Sequence, residues 1–431
     1  MNTALLSDIS EEEIKRAIFS LGSLKAPGID GFPAIFYQKF WERCKASTIS
    51  EVNLFWSEGV LDEELNRTLI TLIPKKKDAE RMEDWRPISL FTVAIKIITK
   101  ILAMRLRSIL NQIFSPFQSA FIKGRIISDN FIVAHEIAHY LKNCGEHSSY
   151  YASIKVDMSK AYDRVEWLFL EKLLLKLGFA DKWFNRIIKC VSSISYQVRV
   201  NDNISSVIKP GRGLRQGDPL SPYLFLFCTE LLNAKLRCGV DRNLISGVRI
   251  CRKAPIVTHL LFADDSIFFI KAGVSEASSL KHILNQYEKV SGQRINFEKL
   301  EVSFSMNTPA DVRNKLLSAA GKEVLVKAVI QAMPVYMMNV YQFPKNIIAK
   351  IVKLIQQFLQ GEEGRKGISW LSLATLQRKK CDGGLGFKDL GAFNEAILLK
   401  VAWRMVTSPH LLVSKVLLAK YCGGGSILAQ E

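Results

Sequence analysis

Two adjacent aspartates, Asp264 and Asp265, stand between two strongly apolar segments, and this feature limits the possible folds of the chain more than any other. Residues 257–262 and 266–271 have the length and composition of buried strands, so they predict a hydrophobic β-hairpin with the aspartates at its turn. Such a turn normally uses Asn-Gly or Asp-Gly, whereas two neighbouring carboxylates without glycine repel each other. A divalent cation would relieve the repulsion; the alternative is that both aspartates are ordinary turn residues.

A further acidic position, Asp157, ends a segment that alternates like a strand. Within residues 151–157, Ala152 and Val156 share one face and Asp157 lies on the other. Pairing that brings Asp157 beside Asp264 would gather carboxylates at one edge of a sheet. Hard oxygen ligands of this kind suit Mg²⁺, which also takes substrate phosphates as ligands. Two such ions can activate an attacking hydroxyl and stabilise the leaving oxygen, so the pattern predicts phosphoryl transfer.

Three regions of different pattern follow one another along the chain. Residues 1–148 are mainly helical in pattern, residues 149–308 mix strands with helices, and residues 309–431 are again nearly all helical. This order predicts an α+β fold with three subdomains around one antiparallel sheet.

Composition indicates the partners. The chain has 59 Lys and Arg against 41 Asp and Glu, a net charge of +18, which predicts a polyanionic partner such as nucleic acid or an anionic membrane surface. The most apolar stretch, residues 219–232, is too short to cross a bilayer, and the acidic N-terminal residues disfavour a signal or transit peptide. Of the two polyanions we expect nucleic acid, and no membrane, as the partner. The 8 cysteines form no CxxC pair and no cluster with zinc-finger spacing. Because no signal peptide is recognised, we expect them to be reduced thiols of an intracellular protein.

A competing motif lies at residues 135–139, which fit the HExxH pattern of zinc metalloproteases. On a helix, His135 and His139 would share one face, with Glu136 as general base. The pattern is short, and no third ligand stands at a recognised spacing. A helix without zinc is therefore the preferred interpretation, and a zinc protease remains a remote alternative.

Three segments, in this order, carry a family resemblance. Asp157–Asp163 resembles motif A of reverse transcriptases, Gly213–Pro222 resembles motif B, and Phe262–Asp265 resembles motif C. The motif B run is close to diagnostic alone, and the ordered set is very specific.

Further segments resemble the LINE-type branch, the retrotransposons without long terminal repeats, and its plant members in particular. They are Lys25–Gly31, Trp85–Leu90, Gln118–Arg125 and Gly383–Phe387. The resemblance therefore covers almost the whole chain.

The resemblance implies a right-hand polymerase fold and RNA-templated DNA synthesis from dNTPs. Fingers and the N-terminal helical region would occupy residues 1–148, an antiparallel palm sheet with the catalytic motifs 149–308, and a helical, truncated thumb with the C-terminal region 309–431. The implied partners are an RNA template, a DNA primer and dNTPs, and the implied cofactor is Mg²⁺, with Mn²⁺ as a substitute.

The resemblance also assigns the metal ligands. Asp157 and Asp264 would bridge two metals, Asp265 would complete the carboxylate set, and the Met158 carbonyl would add a ligand. Tyr162, five residues after Asp157, matches the aromatic steric gate, whose ring leaves no room for a ribose 2′-hydroxyl.

Other motif positions would contact the nucleotide and template. Gln216 and Gly217 match the motif B loop, where glycine allows close approach of the backbone to a ligand. Three cations, Lys75, Arg86 and Arg125, are candidates for phosphate contacts; ordinary surface charge is the alternative for each. Lys299 follows a segment that resembles motif D and would protonate the leaving pyrophosphate.

The chain also departs from the family pattern. A segment present in relatives is expected to be deleted near residues 312–316, at the palm–thumb connection, and neither the endonuclease nor the ribonuclease H domain is recognised in the sequence. The deletion raises a second hypothesis, a catalytically inactive retroelement remnant that at most binds nucleic acid. A nuclear location is expected, because a retroelement enzyme would have to reach the nucleus, with the cytoplasm as the alternative.

Overall fold

The computed structural model describes residues 1–75, 78–145, 149–201, 203–263, 265–296, 299–309 and 390–422, with isolated positions 312, 342, 344 and 346. The helices of these residues are α1 (Asn2–Leu6), α2 (Glu11–Phe19), α3 (Ala34–Lys39), α4 (Trp41–Glu58), α5 (Val93–Ile113), α6 (Ile127–Lys142), α7 (Trp167–Lys176), α8 (Asp181–Ser192), α9 (Ser221–Asp241), α10 (Val274–Ser291), α11 (Leu390–Thr407) and α12 (Leu412–Tyr421). The strands are β1 (Arg67–Pro74), β2 (Trp85–Phe91), β3 (Tyr151–Asp157), β4 (Ser195–Val200), β5 (Asn203–Ile204), β6 (His259–Phe262), β7 (Asp265–Lys271) and β8 (Glu301–Phe304). The predicted deletion junction at residues 312–316 lies outside the described residues, apart from Val312.

The strands form two four-stranded sheets, so the predicted mixture of helix and antiparallel sheet is confirmed. One sheet has the order β6-β7-β3-β8 and is antiparallel throughout. The other has the order β2-β1-β4-β5, and in it β1 and β4 run parallel. The prediction of a single sheet was wrong because β1 and β4 are far apart in sequence, and local patterns do not reveal such a pairing.

The antiparallel sheet positions the predicted site. In β3 the residues Ala152 and Val156 are fully buried, as the alternation predicts, and Phe268 and Ile270 of β7 are also fully buried. These side chains belong to the hydrophobic core together with residues of α5, α9 and α10. Because a slip of one residue would move this apolar set to solvent, the burial fixes the register between β3 and β7.

The hairpin of β6 and β7 is tighter than predicted. Phe262 pairs directly with Asp265, so only two residues separate the paired positions, and Asp265 is the first residue of β7. The first strand is also shorter than predicted, since Val257 pairs in a separate bridge with Val248.

The chain divides into two compact units. The first contains residues 1–126, 147–247 and 258–321 and holds both sheets; the second contains residues 127–146, 248–257 and 322–431. In the second unit, Arg404 of α11 forms an ion pair with Asp129 of α6 at 2.6 Å. The three-part division into fingers, palm and thumb remains a prediction.

Among the described helices, none alone is long and apolar enough to cross a membrane. Residues 394–407 of α11 and helix α12 reach the required length and composition together, with a bend of 95° between them.

Candidate active site

Asp157 and Asp265 lie directly opposite each other at one end of the antiparallel sheet. They are the last register pair of β3 and β7. Opposite residues of an antiparallel pair project to the same face with Cβ atoms about 4.5–5.5 Å apart. Asp265 is exposed and the Asp157 side chain is 17% exposed, so both carboxylates are accessible from solvent. The sheet thus joins motifs A and C, while Asp264 lies outside the described residues.

The turn between β6 and β7 has an unfavourable backbone conformation. Ala263 has a φ of 62°, in the left-handed region that favours glycine. A residue with a Cβ pays about 1–2 kcal/mol there. The buried strands on both sides hold this turn, and Asp265 follows it at the sheet edge.

A segment after α10 braces motif A. The Asn296 amide donates to the Asp157 carbonyl at 2.8 Å, and the Ser159 amide donates to the Arg294 carbonyl at 2.7 Å. These two bonds flank the bridge between Met158 and Ile295. The Met158 carbonyl therefore takes no part in this pair of hydrogen bonds, which suits its predicted role as a ligand.

Lys299, the residue predicted from the motif D resemblance, contacts the candidate catalytic carboxylate. Its Nζ lies 2.6 Å from Asp157 Oδ2, and the Lys299 side chain is 66% exposed. The contact shows that the negative charge at this sheet edge attracts a cation. The exposed Lys299 can move away from Asp157 at small cost, because a surface ion pair contributes only about 0–1 kcal/mol.

The donor chemistry fits a divalent cation. Like charges directly opposite on a sheet destabilise it, and Asp157 and Asp265 are placed in this way. Carboxylate oxygens are the ligands that Mg²⁺ prefers. Among the described residues, which leave out Asp264, no three His, Cys, Asp or Glu side chains form a metal-binding group.

Motif B packs on motif A through the backbone. The Gly213 amide donates to the Val165 carbonyl and the Leu214 amide to the Tyr162 carbonyl, both at 2.8 Å. Gly213 has a φ of 98°, and a Cβ there would lie 3.0 Å from the Asp163 carbonyl oxygen. The contact between the two motifs therefore requires glycine at position 213.

The motif residues predicted to bind the nucleotide line one cavity of about 490 Å³. Tyr162, Gln216 and Gly217 all face it, and the Tyr162 ring stacks on Phe225 with centroids 5.3 Å apart and planes 14° from parallel. The structure thus brings these three predicted residues together.

The same cavity is lined by Lys25 and Lys100, which the sequence reasoning did not select. Lys25 belongs to a segment that resembles LINE-type relatives, and this was an available signal. Lys100 lies on the largely apolar helix α5, where one lysine gives no local signal.

A buried ion pair anchors the motif B loop on either side of Gln216 and Gly217. Arg215 is 1% and Asp218 5% exposed, with 3.5 Å between Arg215 Nε and Asp218 Oδ2. The Arg215 guanidinium also donates to Thr68 Oγ1 at 3.1 Å and to Asn66 Oδ1. Burial raises the pKa of Asp218 and lowers that of Arg215, and the attraction between the two opposes both shifts. Sequence reasoning missed this pair, although both residues stand in the motif B run.

The three predicted phosphate-binding cations lie elsewhere. Lys75 follows β1 and Arg86 lies exposed on β2 opposite Ile73, so the two are close on the sheet that does not carry Asp157. The Arg125 guanidinium donates to the carbonyls of Phe114, Ser115 and Gln118. These three bonds favour a loop-holding role for Arg125, and a phosphate contact by any of the three remains a prediction.

A fully buried histidine links motif C to the motif B helix. His259 of β6 lies 3.0 Å through Nε2 from Asn233 Oδ1 of α9 and 2.8 Å through Nδ1 from the Thr258 hydroxyl. Asn233 donates through its amide nitrogen to Glu230, which leaves Oδ1 as an acceptor. His259 Nε2 therefore carries the hydrogen, and the ring is neutral. Burial lowers the pKa of His259 to about 3.

Stability should therefore fall as acid is added. Below its ordinary pKa of 6.5 the imidazole binds a proton in the unfolded chain but not in the folded one until about pH 3. The free energy of unfolding should lose up to about 1.4 kcal/mol per pH unit from this group as the pH falls through that window. In urea unfolding at several pH values, His259→Gln should reduce the slope of the unfolding free energy against pH, whereas the exposed control His282→Gln should keep the wild-type slope. Equal slopes for the wild type and both variants would exclude this role of His259.

In the HExxH segment, the glutamate takes part in contacts between two helices. Glu136 of α6 accepts from Lys420 and from the Tyr421 hydroxyl of α12, and His139 contacts Asn143. The carboxylate that a zinc protease would use as base thus holds two helices of the second unit together. Within the described part of the chain, no third metal ligand joins these residues.

Comparison with known proteins agrees with this geometry. Residues 73–358 match the family model of reverse transcriptase (RNA-dependent DNA polymerase). The chain is 27% identical over 295 residues to an uncharacterized 149 kDa protein of transposon TX1 from Xenopus laevis, covering 68% of this chain and 22% of that protein. It is also 27% identical over 295 residues to the Pol polyprotein of the type-2 retrotransposable element R2DM from Drosophila melanogaster, covering 68% and 26%.

A plant relative is more similar over a shorter length. An uncharacterized mitochondrial protein of Arabidopsis thaliana is 46% identical over 67 residues, 16% of this chain and 55% of the relative.

The facing aspartates of motifs A and C, and the cavity lined by motif A and motif B residues, form an arrangement that fits this family. The chain belongs to the reverse transcriptase family, in the LINE-type branch of retrotransposons without long terminal repeats. It spans about a quarter of the length of the two transposon relatives described above.

Proposed function

We propose that the chain is the catalytic core of an RNA-directed DNA polymerase that extends a DNA primer on an RNA template with dNTPs. The observation that carries the proposal is the direct opposition of Asp157 and Asp265 at the sheet edge. In the proposed right-hand fold the antiparallel sheet is the palm, residues 1–148 contain the fingers, and residues 309–431 form the truncated thumb.

Asp157, Asp264 and Asp265, with the Met158 carbonyl, would hold Mg²⁺. When bound, the metal ions supply charge neutralisation at the attacking and leaving oxygens of an in-line displacement. The protein's own contribution is position: the buried β3–β7 register and the Asn296 bond to the Asp157 carbonyl fix where the carboxylates stand.

Lys299 would leave Asp157 when metal binds and donate a proton to the leaving pyrophosphate. We further propose that Lys75, Arg86 and Arg125 contact triphosphate or template phosphates.

Tyr162 would exclude ribonucleotides. Its ring lines the cavity beside Gln216 and Gly217, and stacking on Phe225 restricts its movement. Tyr162→Val should raise the efficiency of rNTP use relative to dNTP use by roughly 10–200-fold, the range available from a change in pocket shape. The measurement is kcat/KM for matched rNTP and dNTP on one primer–template. Tyr162→Phe is the control and should keep dNTP selectivity; an unchanged ratio in Tyr162→Val would exclude the gate.

Primer extension by the purified chain on an RNA template, with dNTPs and Mg²⁺, tests the proposal. Extension that is lost in Asp264→Ala would support it. RNA binding should be measured in parallel, because the expected deletion near residues 312–316 favours a second candidate, an inactive remnant. Retained RNA binding without any extension would overturn the polymerase proposal and support the remnant.

A further inference from the structure

The cavity beside motif B contains two cations that the proposed function does not use. Lys25 follows α2 and Lys100 lies on α5, and both line the cavity with Tyr162, Gln216 and Gly217. The aliphatic stem of Lys25 lies over Gly22, where an added Cβ would be 3.0 Å from Lys25 Cε. The lysines therefore come from two separate elements and converge on one space.

This cavity has an excess of positive charge. The pKa of Lys100 is lowered by burial and by repulsion from Arg107 and Lys25. The carboxylate in the lining is Asp218, which is buried in its pair with Arg215. Among the described residues, neither Lys25 nor Lys100 takes part in an ion pair. Like charges gathered without a counter-charge favour the entry of an anion.

The shape of the cavity suits a phosphate-bearing ligand. A volume of about 490 Å³ falls within the range of about 300–1,000 Å³ typical of ligand sites. At Gly217, whose φ is 85°, an added Cβ would meet no atom within 4 Å, so a ligand can approach the backbone of the motif B loop. Lysine ammonium groups bind phosphate oxygens as point charges.

We propose that Lys25 and Lys100 form a phosphate-binding site of the polymerase, separate from the carboxylates at the sheet edge. The inference rests on the proposed function, since its ligand is a phosphate of one of the polymerase substrates. Two sources share this chemistry: the backbone of the template strand, and the triphosphate of the incoming nucleotide.

Binding measurements in an Asp157→Asn background test the site without chemistry. The variant is Lys25→Gln/Lys100→Gln, and the control is Lys176→Gln/Lys182→Gln, which removes the same charge from two exposed lysines. The probes are a fluorescent single-stranded RNA, titrated at several salt concentrations, and inorganic tripolyphosphate. A thermal melt checks folding, and the single variant Lys25→Gln, at an exposed side chain, serves if the double variant does not fold.

The two sources give different results. If the ligand is the template backbone, RNA affinity should fall by about tenfold or more relative to the control, and the slope of log K against log salt should decrease by about 0.7 for each lost phosphate contact. If the ligand is the nucleotide triphosphate, RNA affinity should match the control while tripolyphosphate binding weakens. Lys25→Arg/Lys100→Arg should retain binding in both cases.

If Lys25→Gln/Lys100→Gln binds both RNA and tripolyphosphate as tightly as the control does, the proposed site is excluded. Because no turnover is needed, this result is distinct from failure of the proposed function. A chain that binds through these lysines but extends no primer would keep the site and lose the polymerase.

Discussion

Asp157→Asn should reduce nucleotide incorporation on an RNA template by about a thousandfold or more. A metal clamp contributes several kcal/mol of charge stabilisation, and each 1.36 kcal/mol corresponds to about a factor of ten in rate. The fold should persist, because the substitution removes one of two opposed carboxylates at a sheet edge and breaks only the ion pair with the largely exposed Lys299.

The measurement is single-nucleotide incorporation at saturating primer–template and dNTP, with RNA affinity determined in parallel. Asp181→Asn, at the exposed start of α8, removes a carboxylate outside the three motifs and should keep the wild-type rate. A decrease of less than about tenfold in Asp157→Asn, with RNA binding intact, would remove Asp157 from the catalytic set.

Arg215→Met should lower the free energy of unfolding by about 3–5 kcal/mol, since it leaves Asp218 buried without its partner. It also removes the hydrogen bonds to Asn66 and Thr68 and the contact of the guanidinium with the Phe91 ring, 4.2 Å from its centroid. The motif B loop would lose its attachment to β1, so KM for dNTP should rise where enough folded protein remains.

A double-mutant cycle in urea unfolding measures the coupling within this pair. Asp218→Leu alone should also destabilise the protein, whereas Arg215→Met with Asp218→Leu should cost less than the sum, because a buried ion pair can be replaced by apolar groups at little cost. Single substitutions that each cost under about 1 kcal/mol, or that are strictly additive, would contradict a coupled anchor.

Local patterns in the sequence predicted the elements that carry the chemistry. Alternation along residues 151–157 gave β3 with the observed bounds, and the apolar segments around Asp265 gave the β6–β7 hairpin. These predictions succeeded because burial of one strand face and the composition of short apolar strands are local properties. The turn was tighter than predicted, since the alternation cannot show which aspartate starts the second strand.

Long-range arrangements were not predictable in this way. The parallel pairing of β1 with β4, and the bond from Arg215 to Thr68 across 147 residues, join segments that carry no matching local signal. Lys100 is similar, because a single lysine on an apolar helix gives no indication that a cavity lies beside it. For Arg125, the sequence showed a charge but could not show that three backbone carbonyls surround it.

Metal-directed cleavage of the backbone tests most directly whether motifs A and C share one metal site. Fe²⁺ substituted for Mg²⁺, with ascorbate and peroxide, generates hydroxyl radicals that cut the chain next to the bound ion. We expect two cuts, one near Asp157 and one near residues 263–265, both suppressed by excess Mg²⁺ and both lost in Asp157→Asn. Cuts at only one of these places, or cuts that persist in Asp157→Asn, would contradict a shared metal site at this sheet edge.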